Sequence, residues 1–597
     1  MCIYFNSGLV PTIWLKSIIN PIPKGSKKDP YTPLNYRGIS LQSCVYKVYS
    51  GLLNSRISAY CEMLNLIEDE QNGFRKTRSC EDHIFSVTSI IQNKLNTKDS
   101  VFAAFIDLEK AFDWIDRDLL LYRLLQYNID GKMYKCIKGL FHHNESCVRI
   151  NSLCSDWFSV HSGVKQGDNV SPTLFSLYIN DLAKEIKHLN KGIQIGNLNV
   201  GILLYADDMV LLGNNEADLQ CMLDAMYEWC YKWRLKVNIE KSNIVHFRPK
   251  NAIKTDYVFK YGATALEMIS EYKYLGIILD EHLTFVSCSK TLADSGGRAL
   301  GAVISKFKQF KDVGYLTFTK LFESCVVPVL DYGSGIWGFV NNTHSELIQN
   351  KAMRYFLGVH SFTAIPALQG EMGWKPSKFR KYINILRFWN RLLKMPDERM
   401  TKQIFYNDFN LKNNNWCAKV KYILKLIDCE ELFNNQTLCD LTECELLLTN
   451  IIEKEWKTQI NNKPKLRTYK LYKKNYKTSD YVINTLNRFN RSMLAKFRTG
   501  ILQLRVETGR FTQMKLEDRT CQICNLNLIE DEIHFLCVCN KYDELRKILF
   551  ISAAEKHVQF STLSIDLKFI YLMSFCNREV GAFIRKAWEI RKSVLYI

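Results

Sequence analysis

The chain has 597 residues, with 80 Lys and Arg against 61 Asp and Glu, so its formal net charge is +19. This length predicts about three to five domains, each able to bury a core. Apolar residues make up 47% of the chain and aromatic residues 12%, which excludes a disordered chain. The basic balance favours a polyanionic partner, with solubility as an alternative explanation for part of it.

The cysteines and the apolar segments indicate the cellular compartment of the chain. The 20 Cys are scattered without a small-domain disulfide framework, which favours reduced thiols in a nuclear or cytoplasmic setting. No segment reaches the roughly 18 uninterrupted apolar residues of a membrane span, and no signal-peptide pattern opens the chain. We therefore expect no membrane partner.

The chain begins with a weakly patterned stretch and a basic loop. Residues 1–20 do not open a fold, and we interpret them as the remnant of an N-terminal extension. The loop Pro21–Pro30 leads to Arg37 and to a helical pattern through Tyr60. The cations here either form a solvated basic loop or bind a triphosphate: Lys24, Lys27, Lys28 and Arg37. Another loop, 71–75, precedes a helix predicted from about Ser79 to Lys94.

An acidic residue ends the first strongly apolar run. Residues 101–106 are continuously apolar and predict a strand buried on both faces, with Asp107 where it emerges. The next residues predict a helix that lasts to about Gln126. Further on, Ser171 as N-cap and Pro172 at the first helical position predict another helix, preceded by the loop 163–170.

Two adjacent carboxylates, Asp207 and Asp208, lie inside the apolar stretch 201–213. Four large residues on either side and a glycine at each end predict a β-hairpin with the acids near its turn. A solvent-facing turn would also contain Asp, but anions against apolar walls are costly unless paired or bound to metal. Together with Asp107, the pair predicts a site for two Mg²⁺ ions about 4 Å apart.

The motifs in their order resemble the reverse transcriptases of non-LTR retrotransposons, that is, jockey-like and related long interspersed elements. Residues 105–113 resemble motif A, residues 163–172 motif B, and Tyr205-Ala206-Asp207-Asp208 motif C. Lys241 falls in motif D, and Tyr274-Leu275-Gly276 resembles motif E, the primer grip. The resemblance spans roughly residues 10–300 and implies an α+β right-hand polymerase, with fingers, a palm built on an antiparallel sheet, and a thumb.

The resemblance also implies roles for individual residues. Asp107, Asp207 and Asp208 would carry two Mg²⁺ ions, with Mn²⁺ as the alternative, and Lys241 would protonate the leaving pyrophosphate. Phe112 would be the steric gate against ribonucleotides, with a core aromatic as the alternative. Nucleotide or template contacts are expected at Lys24, Arg37, Gln166 and Gly167, and primer contacts at Tyr274, Leu275 and Gly276.

The implied domain order is fingers and palm over residues 21–255, primer grip and thumb over 256–340, and an α-helical connector over 341–460. A basic helical segment, 461–515, places tyrosines among lysines, which suggests RNA contact or a solvated helix face. We find no acidic set for an RNase H after the thumb.

Cys521-x₂-Cys524-x₉-His534-x₄-Cys539 has the ligand types and spacing of one structural Cys₃His zinc site, with Cys537 as an alternative fourth ligand. It defines a zinc module over residues 516–545, followed by a helical tail over 546–597. The module resembles the C-terminal zinc module of the same retrotransposon family.

The expected activity is RNA-directed DNA polymerisation, with an RNA template, a DNA primer or target, and dNTPs as partners. The alternatives are a catalytically silent element remnant and a domesticated RNA-binding protein. The sequence resembles an element truncated before the polymerase domain, so we expect endonuclease activity to be supplied elsewhere. We expect a ribonucleoprotein in the nucleus and cytoplasm.

Overall fold

The polypeptide folds as two compact units. The structure is a computed structural model that describes residues 2–25, 29–310, 312–340, 343–484 and 487–595. The first unit comprises Met1–Ser287 with Arg391–Lys421, and the second comprises Cys288–Asn390 with Tyr422–Ile597. Lys27 and Lys28 of the predicted basic loop lie outside the described residues.

All described strands lie in the first unit. Their bounds are β1 Lys16–Pro23, β2 Tyr36–Leu41, β3 Val101–Asp107, β4 Glu145–Ile150, β5 Leu153–Cys154, β6 Phe158–Ser159, β7 Ile193–Ile195, β8 Leu198–Val200, β9 Ile202–Tyr205, β10 Asp208–Gly213, β11 Asn243–Phe247, β12 Lys260–Tyr261, β13 Thr264–Ala265, β14 Glu267–Ile269, β15 Glu271–Tyr274 and β16 Ile277–Asp280.

The described helices occur in both units. Their bounds are α1 Cys2–Ser7, α2 Thr12–Leu15, α3 Cys44–Met63, α4 Cys80–Asn96, α5 Arg117–Gln126, α6 Gly131–Leu140, α7 Ser171–His188, α8 Glu216–Lys232, α9 Val286–Phe307, α10 Tyr315–Leu321, α11 Val327–Leu330, α12 Ser334–Trp337, α13 Thr343–Leu357, α14 Ile365–Met372, α15 Ser377–Leu393, α16 Met400–Leu411, α17 Trp416–Leu426, α18 Glu430–Asn434, α19 Leu441–Asn461, α20 Tyr469–Tyr472, α21 Asp480–Ile483, α22 Arg488–Arg498, α23 Arg505–Phe511, α24 Asp543–Lys556, α25 Ile565–Phe575 and α26 Asn577–Leu595.

The central sheet of the first unit has the strand order β14–β11–β3–β10–β9. Strand β3 lies in its middle and is antiparallel to both β10 and β11, while only β11 and β14 are parallel. Residues 101–106 are all buried, because helices α7 and α8 cover one face and helix α4 with the β15–β16 hairpin covers the other. The predicted α+β class with an antiparallel sheet is confirmed.

A second sheet is built from strands that precede and follow β3 in the chain. Strand β1 pairs antiparallel with β2 and parallel with β4, and the short strands β5 and β6 both pair with β4. This sheet places Arg37 on β2 and Lys24 directly after β1.

Two helix starts differ from the sequence predictions. The helix expected after Asp107 begins only at Arg117, because the Asp116 side chain accepts hydrogen bonds from the first-turn amides of Asp118 and Leu119. Ser171 is the first residue of α7 and not its N-cap, and the preceding Val170 makes no side-chain cap. The prediction for Ser171 was therefore wrong, while Pro172 does lie in the first turn.

The segment 391–421 returns to the first unit along helix α4. Arg391 Nε donates to Asp82 Oδ1 at 2.6 Å, and Asn93 Nδ2 donates to Asp408 Oδ1 at 2.6 Å. These polar contacts are buried or half-buried, so the first fixes the end of α15 against α4 and the second fixes α16 against α4. A residue stretch that the sequence assigned to the connector thus forms part of the first unit.

The described part of the second unit is helical, apart from an isolated β-bridge between Thr520 and Ile529. A fully buried ion pair joins α22 to α14, with Arg498 Nε 2.9 Å from Glu371 Oε2. Among the described residues, no helix of either unit is both long and apolar enough to cross a membrane.

Candidate active site

The β9–β10 hairpin brings two carboxylates to the end of β3. Tyr205 pairs with Asp208, so Ala206 and Asp207 form the turn, and Ala206 has a left-handed φ of 57°. Asp208 is directly opposite Asp107 in the β3–β10 register. The three predicted Asp therefore lie together, two as a cross-strand pair and one in the adjoining turn.

The three carboxylates repel one another in a half-buried environment. Burial raises the pKa of Asp208 to about 6, and the negative charges of Asp207 and Asp107 contribute to the rise. Burial also raises the pKa of Asp207, with Asp107 adding to the shift. Facing carboxylates in such surroundings require a compensating cation, and oxygen-only ligands suit Mg²⁺. The donor set therefore fits the predicted Mg²⁺ ions.

Lys241 supplies a positive charge next to this cluster. Its Nζ donates to Asp107 Oδ2 at 3.2 Å, and its side chain is 54% exposed. It lies on a short 3₁₀ turn that is tied to β3, because Asn238 N donates to Asp107 O at 2.8 Å. The lysine can therefore reach both the carboxylates and a bound ligand.

Phe112 lies half-buried beside the start of helix α7. Its ring stacks on Phe175 with the centroids 5.0 Å apart, and it meets the ring of Phe74 edge-on at 6.3 Å. These two aromatic neighbours fix the orientation of the ring. A fixed ring is compatible with both alternatives, a steric gate and a core aromatic.

The loop that contains Gln166 and Gly167 contacts strand β2 of the second sheet. Gln166 O accepts from Ser40 N at 2.8 Å, which fastens the loop to β2. Gly167 has a φ of 113°, and a Cβ there would lie 3.3 Å from Ser40 O. Glycine is the residue that tolerates this backbone conformation.

The two predicted triphosphate ligands act on different carboxylates. Arg37 is exposed on β2, and its charge partly offsets the raised pKa of Asp207. Lys24 acts instead on Asp113, where its charge partly offsets a pKa that burial raises. Of the two, Arg37 is the one whose charge acts on a carboxylate of the cluster.

The primer-grip residues form the turn of the β15–β16 hairpin. Leu275 and Gly276 have left-handed φ values of 45° and 85° and form its tip. Tyr274 is 2% exposed, so its ring supports the hairpin from within. Of the three predicted primer-contact residues, Leu275 is half-buried and Gly276 is exposed.

A polar network that the sequence did not reveal holds both hairpins. Gln71 Oε1 accepts from Ala206 N at 3.0 Å and from Gly73 N at 2.8 Å. Asn72 Nδ2 donates to His83 Nδ1 at 3.1 Å, and His83 Nε2 lies 2.7 Å from Tyr274 Oη. Burial lowers the pKa of His83 to about 3, so the ring is neutral. The only hint of this network in the sequence is the polar pair Gln71-Asn72, which lies between two largely apolar elements.

The predicted zinc ligands converge in the second unit. Ligand atoms of Cys521, Cys524, His534 and Cys539 all lie within 4.8 Å of one another, and the four residues are buried. Cys539, and not Cys537, is the fourth member. Cys521 Sγ contacts Glu530 Oε1 at 3.7 Å, and Glu530 accepts from Arg591 Nη2 on α26 at 2.8 Å. The C-terminal tail thus packs against this cluster.

The tyrosines of the basic segment are not available for stacking. Tyr469, Tyr472 and Tyr476 are at most 9% exposed, and Tyr476 Oη donates to Trp374 O at 2.6 Å. Their rings fill the core of the second unit, so any RNA contact by this segment falls to its exposed lysines and not to these tyrosines.

Residues 22–279 match the family described as reverse transcriptase (RNA-dependent DNA polymerase). The chain is 28% identical over 357 residues to a probable RNA-directed DNA polymerase from transposon BS of Drosophila melanogaster, covering 58% of this chain and 38% of that protein. It is 27% identical, with the same coverage, to the RNA-directed DNA polymerase from mobile element jockey of Drosophila funebris. The resemblance inferred from the motifs is confirmed.

The chain spans 38% of the length of these two relatives. Among solved structures, telomerase from Candida albicans aligns with a TM-score of 0.37 and 10% identity, covering 80% of this chain and 66% of that chain.

Proposed function

We propose that this chain is an RNA-directed DNA polymerase of a non-LTR retrotransposon, which extends a primer 3′-hydroxyl with dNTPs on an RNA template. The observation that carries the proposal is the cross-strand pair of Asp107 and Asp208 with Asp207 in the adjoining turn. Three carboxylates at one sheet edge are a ligand set for phosphoryl transfer.

Asp107, Asp207 and Asp208 would hold two Mg²⁺ ions, or Mn²⁺ in their place, which when bound neutralise charge on the reacting phosphate and activate the primer hydroxyl. The residues around them position the reactants. Arg37 binds the triphosphate, Gln166 and Gly167 contact nucleotide or template, and the Phe112 ring lies under the sugar and excludes a 2′-hydroxyl. Lys241, 3.2 Å from Asp107, donates a proton to the departing pyrophosphate.

We propose that Cys521, Cys524, His534 and Cys539 hold one structural Zn²⁺. Four buried N and S ligands with no open position suit a structural site and not a catalytic one. The zinc module would help to bind the element's RNA or the target DNA. In the cell the protein would act in a ribonucleoprotein of nucleus and cytoplasm, with the target nick supplied elsewhere.

The first test is primer extension on an RNA template with purified protein and Mg²⁺. We expect extension by the native chain and its loss in Asp207→Asn, with a fall of about a thousandfold or more, because the variant loses transition-state charge stabilisation. RNA binding should be nearly unchanged. Asp224→Asn, on the exposed face of α8, is the matched control and should keep full activity.

Two outcomes would contradict the proposal. Equal extension by Asp207→Asn and the native chain would remove the carboxylate from the chemistry. RNA binding without any extension by the native chain would favour a catalytically silent remnant or a domesticated RNA-binding protein.

A further inference from the structure

A cavity with polar and apolar walls lies beside the Phe112–Phe175 stack, within the first unit. Its volume is about 390 Å³, and its walls come from helix α3, the loop 74–77 and the first turns of helix α7. The wall carries the hydroxyl and amide groups of Asn54, Ser58, Thr173 and Ser176, together with the charged side chains of Glu62, Arg75 and Lys76. The uncharged donors and acceptors fit the part of a ligand that has several hydrogen-bonding positions.

One of these groups has no partner. Ser176 is 1% exposed, and its Oγ has no hydrogen-bond partner among the described residues. By contrast, Thr173 Oγ1 donates to Asn54 Oδ1 at 2.6 Å, and Ser58 Oγ lies 3.3 Å from Thr173 Oγ1. A buried hydroxyl without a partner is costly, and a ligand in the cavity would offset that cost.

The rim carries an exposed aromatic ring and a cation. Phe74 is 57% exposed and has a left-handed φ of 59°, a conformation that strains a bulky residue. Lys76 is exposed and makes no ion pair within the described ranges. An aromatic face with a neighbouring cation is the arrangement that stacks a base and binds its phosphate.

The charges distinguish a single-strand nucleotide from a free triphosphate. Arg75 is neutralised, since its Nε and Nη2 both donate to the Glu62 carboxylate at 2.8 Å. Lys76 is then the one cation on the wall without an ion pair within the described residues. A triphosphate would require several such cations, whereas a single nucleotide within a strand carries one phosphate and requires only one.

We propose that this cavity receives an unpaired template nucleotide, the one directly ahead of the templating base, which leaves the stack and enters between α3 and α7. The proposal rests on the proposed function. Phe74 stacks on the base, Lys76 binds its phosphate, and Ser58, Thr173 and Ser176 bond its polar edge or its 2′-hydroxyl. Because Phe175, next to Ser176, stacks on Phe112, the cavity shares a helix wall with the nucleotide site.

The test uses the full chain and an RNA template with 2-aminopurine at the position ahead of the templating base. Unstacking removes quenching by the neighbouring bases, so we expect fluorescence to rise about twofold or more when the primed template binds. Ser58→Leu fills the cavity and should abolish the rise. Ser55→Leu, on the exposed face of the same helix and outside the cavity wall, is the matched control and should keep it.

Ala59→Leu is a second variant that fills the cavity, at an exposed position of its wall. The test therefore does not depend on the folding of a single variant. An equal rise in both blocking variants would overturn the proposal, as would no rise when the native chain is bound to template. A raised KM for dNTPs with an unchanged rise would assign the cavity to the incoming nucleotide instead. Primer extension by the native chain on the same RNA separates the outcomes, since its absence contradicts the proposed function itself.

Discussion

Gln71 fixes the turn of the catalytic hairpin from a different segment of the chain. Its Oε1 accepts the amide protons of both Ala206 and Gly73, and Gly73 packs so closely that a Cβ would lie 2.3 Å from Ala206 N. The left-handed Ala206 is thereby held beside Asp207. The side-chain oxygen of Gln71 determines where the metal-binding carboxylate lies.

We expect Gln71→Met to lower kcat for primer extension about tenfold to a hundredfold, because small displacements of reacting groups have effects of this size. Methionine has similar length but leaves two backbone amides without their acceptor. The KM for dNTPs should change little, since the triphosphate contacts are elsewhere. Gln92→Met on α4 is the matched control, and an unchanged kcat in Gln71→Met would contradict the positioning role.

The difference between Asp207 and Gln71 shows what sequence reasoning can reach at the residue scale. Asp207 and Asp208 interrupt an apolar run, so their types and spacing already predicted the hairpin and the metal ligands. Gln71 bonds to a backbone amide 135 positions away, and a backbone amide leaves no mark in the sequence. His83 was hidden by distance along the chain, because its side-chain partner Tyr274 lies 191 positions away and was identified only as part of the primer grip.

At the scale of elements, helix α16 is attached to α4 through a buried carboxyl group. Burial raises the pKa of Asp408 from its ordinary value of 3.8 to about 6, while hydrogen bonds from Asn93 and Ser89 oppose the rise. Its Oδ2 has no partner among the described residues. The folded state therefore binds the Asp408 proton more tightly than the unfolded state does.

The sign of the effect follows from this difference in proton affinity. As pH rises from about 4 to 6, the unfolded chain releases the proton first, so the native chain loses stability relative to Asp408→Asn. We expect the variant to gain up to about 3 kcal/mol above pH 6.5 and little at pH 4. Melting temperatures across this range measure it, with exposed Asp397→Asn as control; a pH-independent difference would contradict the buried-carboxyl account.

The zinc cluster makes a separate prediction for the second unit. We expect one zinc per chain in the native protein and none in Cys521→Ser, with a lower melting temperature, because structural zinc contributes about 10 kcal/mol in small zinc-binding peptides. Cys537→Ser is the matched control, since Cys537 is buried in the same segment but lies outside the cluster. A folded native chain without zinc, or zinc loss in Cys537→Ser alone, would contradict the ligand set.

Elements that depend on long-range packing were predicted least well. The strand of residues 101–107 and helix α4 were predicted within one or two residues, because the local pattern of apolar residues defines them. The basic segment was misread, since its tyrosines are separated by lysines in sequence and yet point into the core. Likewise, no local pattern indicates that residues 391–421 return to α4.

At the scale of the whole molecule, the net charge of +19 has two explanations, nucleic-acid binding and solubility. Some of the basic side chains are buried and have partners within the protein. Arg498 is buried against Glu371, Arg591 against Glu530, and Lys473 donates to Ser479 Oγ at 2.9 Å. Only the exposed cations can release counterions from RNA, so the measured charge effect should be smaller than the formal net charge suggests.

We expect the affinity for a single-stranded RNA template to fall about a hundredfold between 50 and 200 mM salt, which corresponds to roughly five phosphate contacts. Fluorescence anisotropy with labelled RNA measures the slope of log affinity against log salt. A peptide nucleic acid of the same base sequence is the control, because it lacks phosphates and should show almost no slope. Equal, shallow slopes for both ligands would mean that the basic surface serves solubility and does not bind the template backbone.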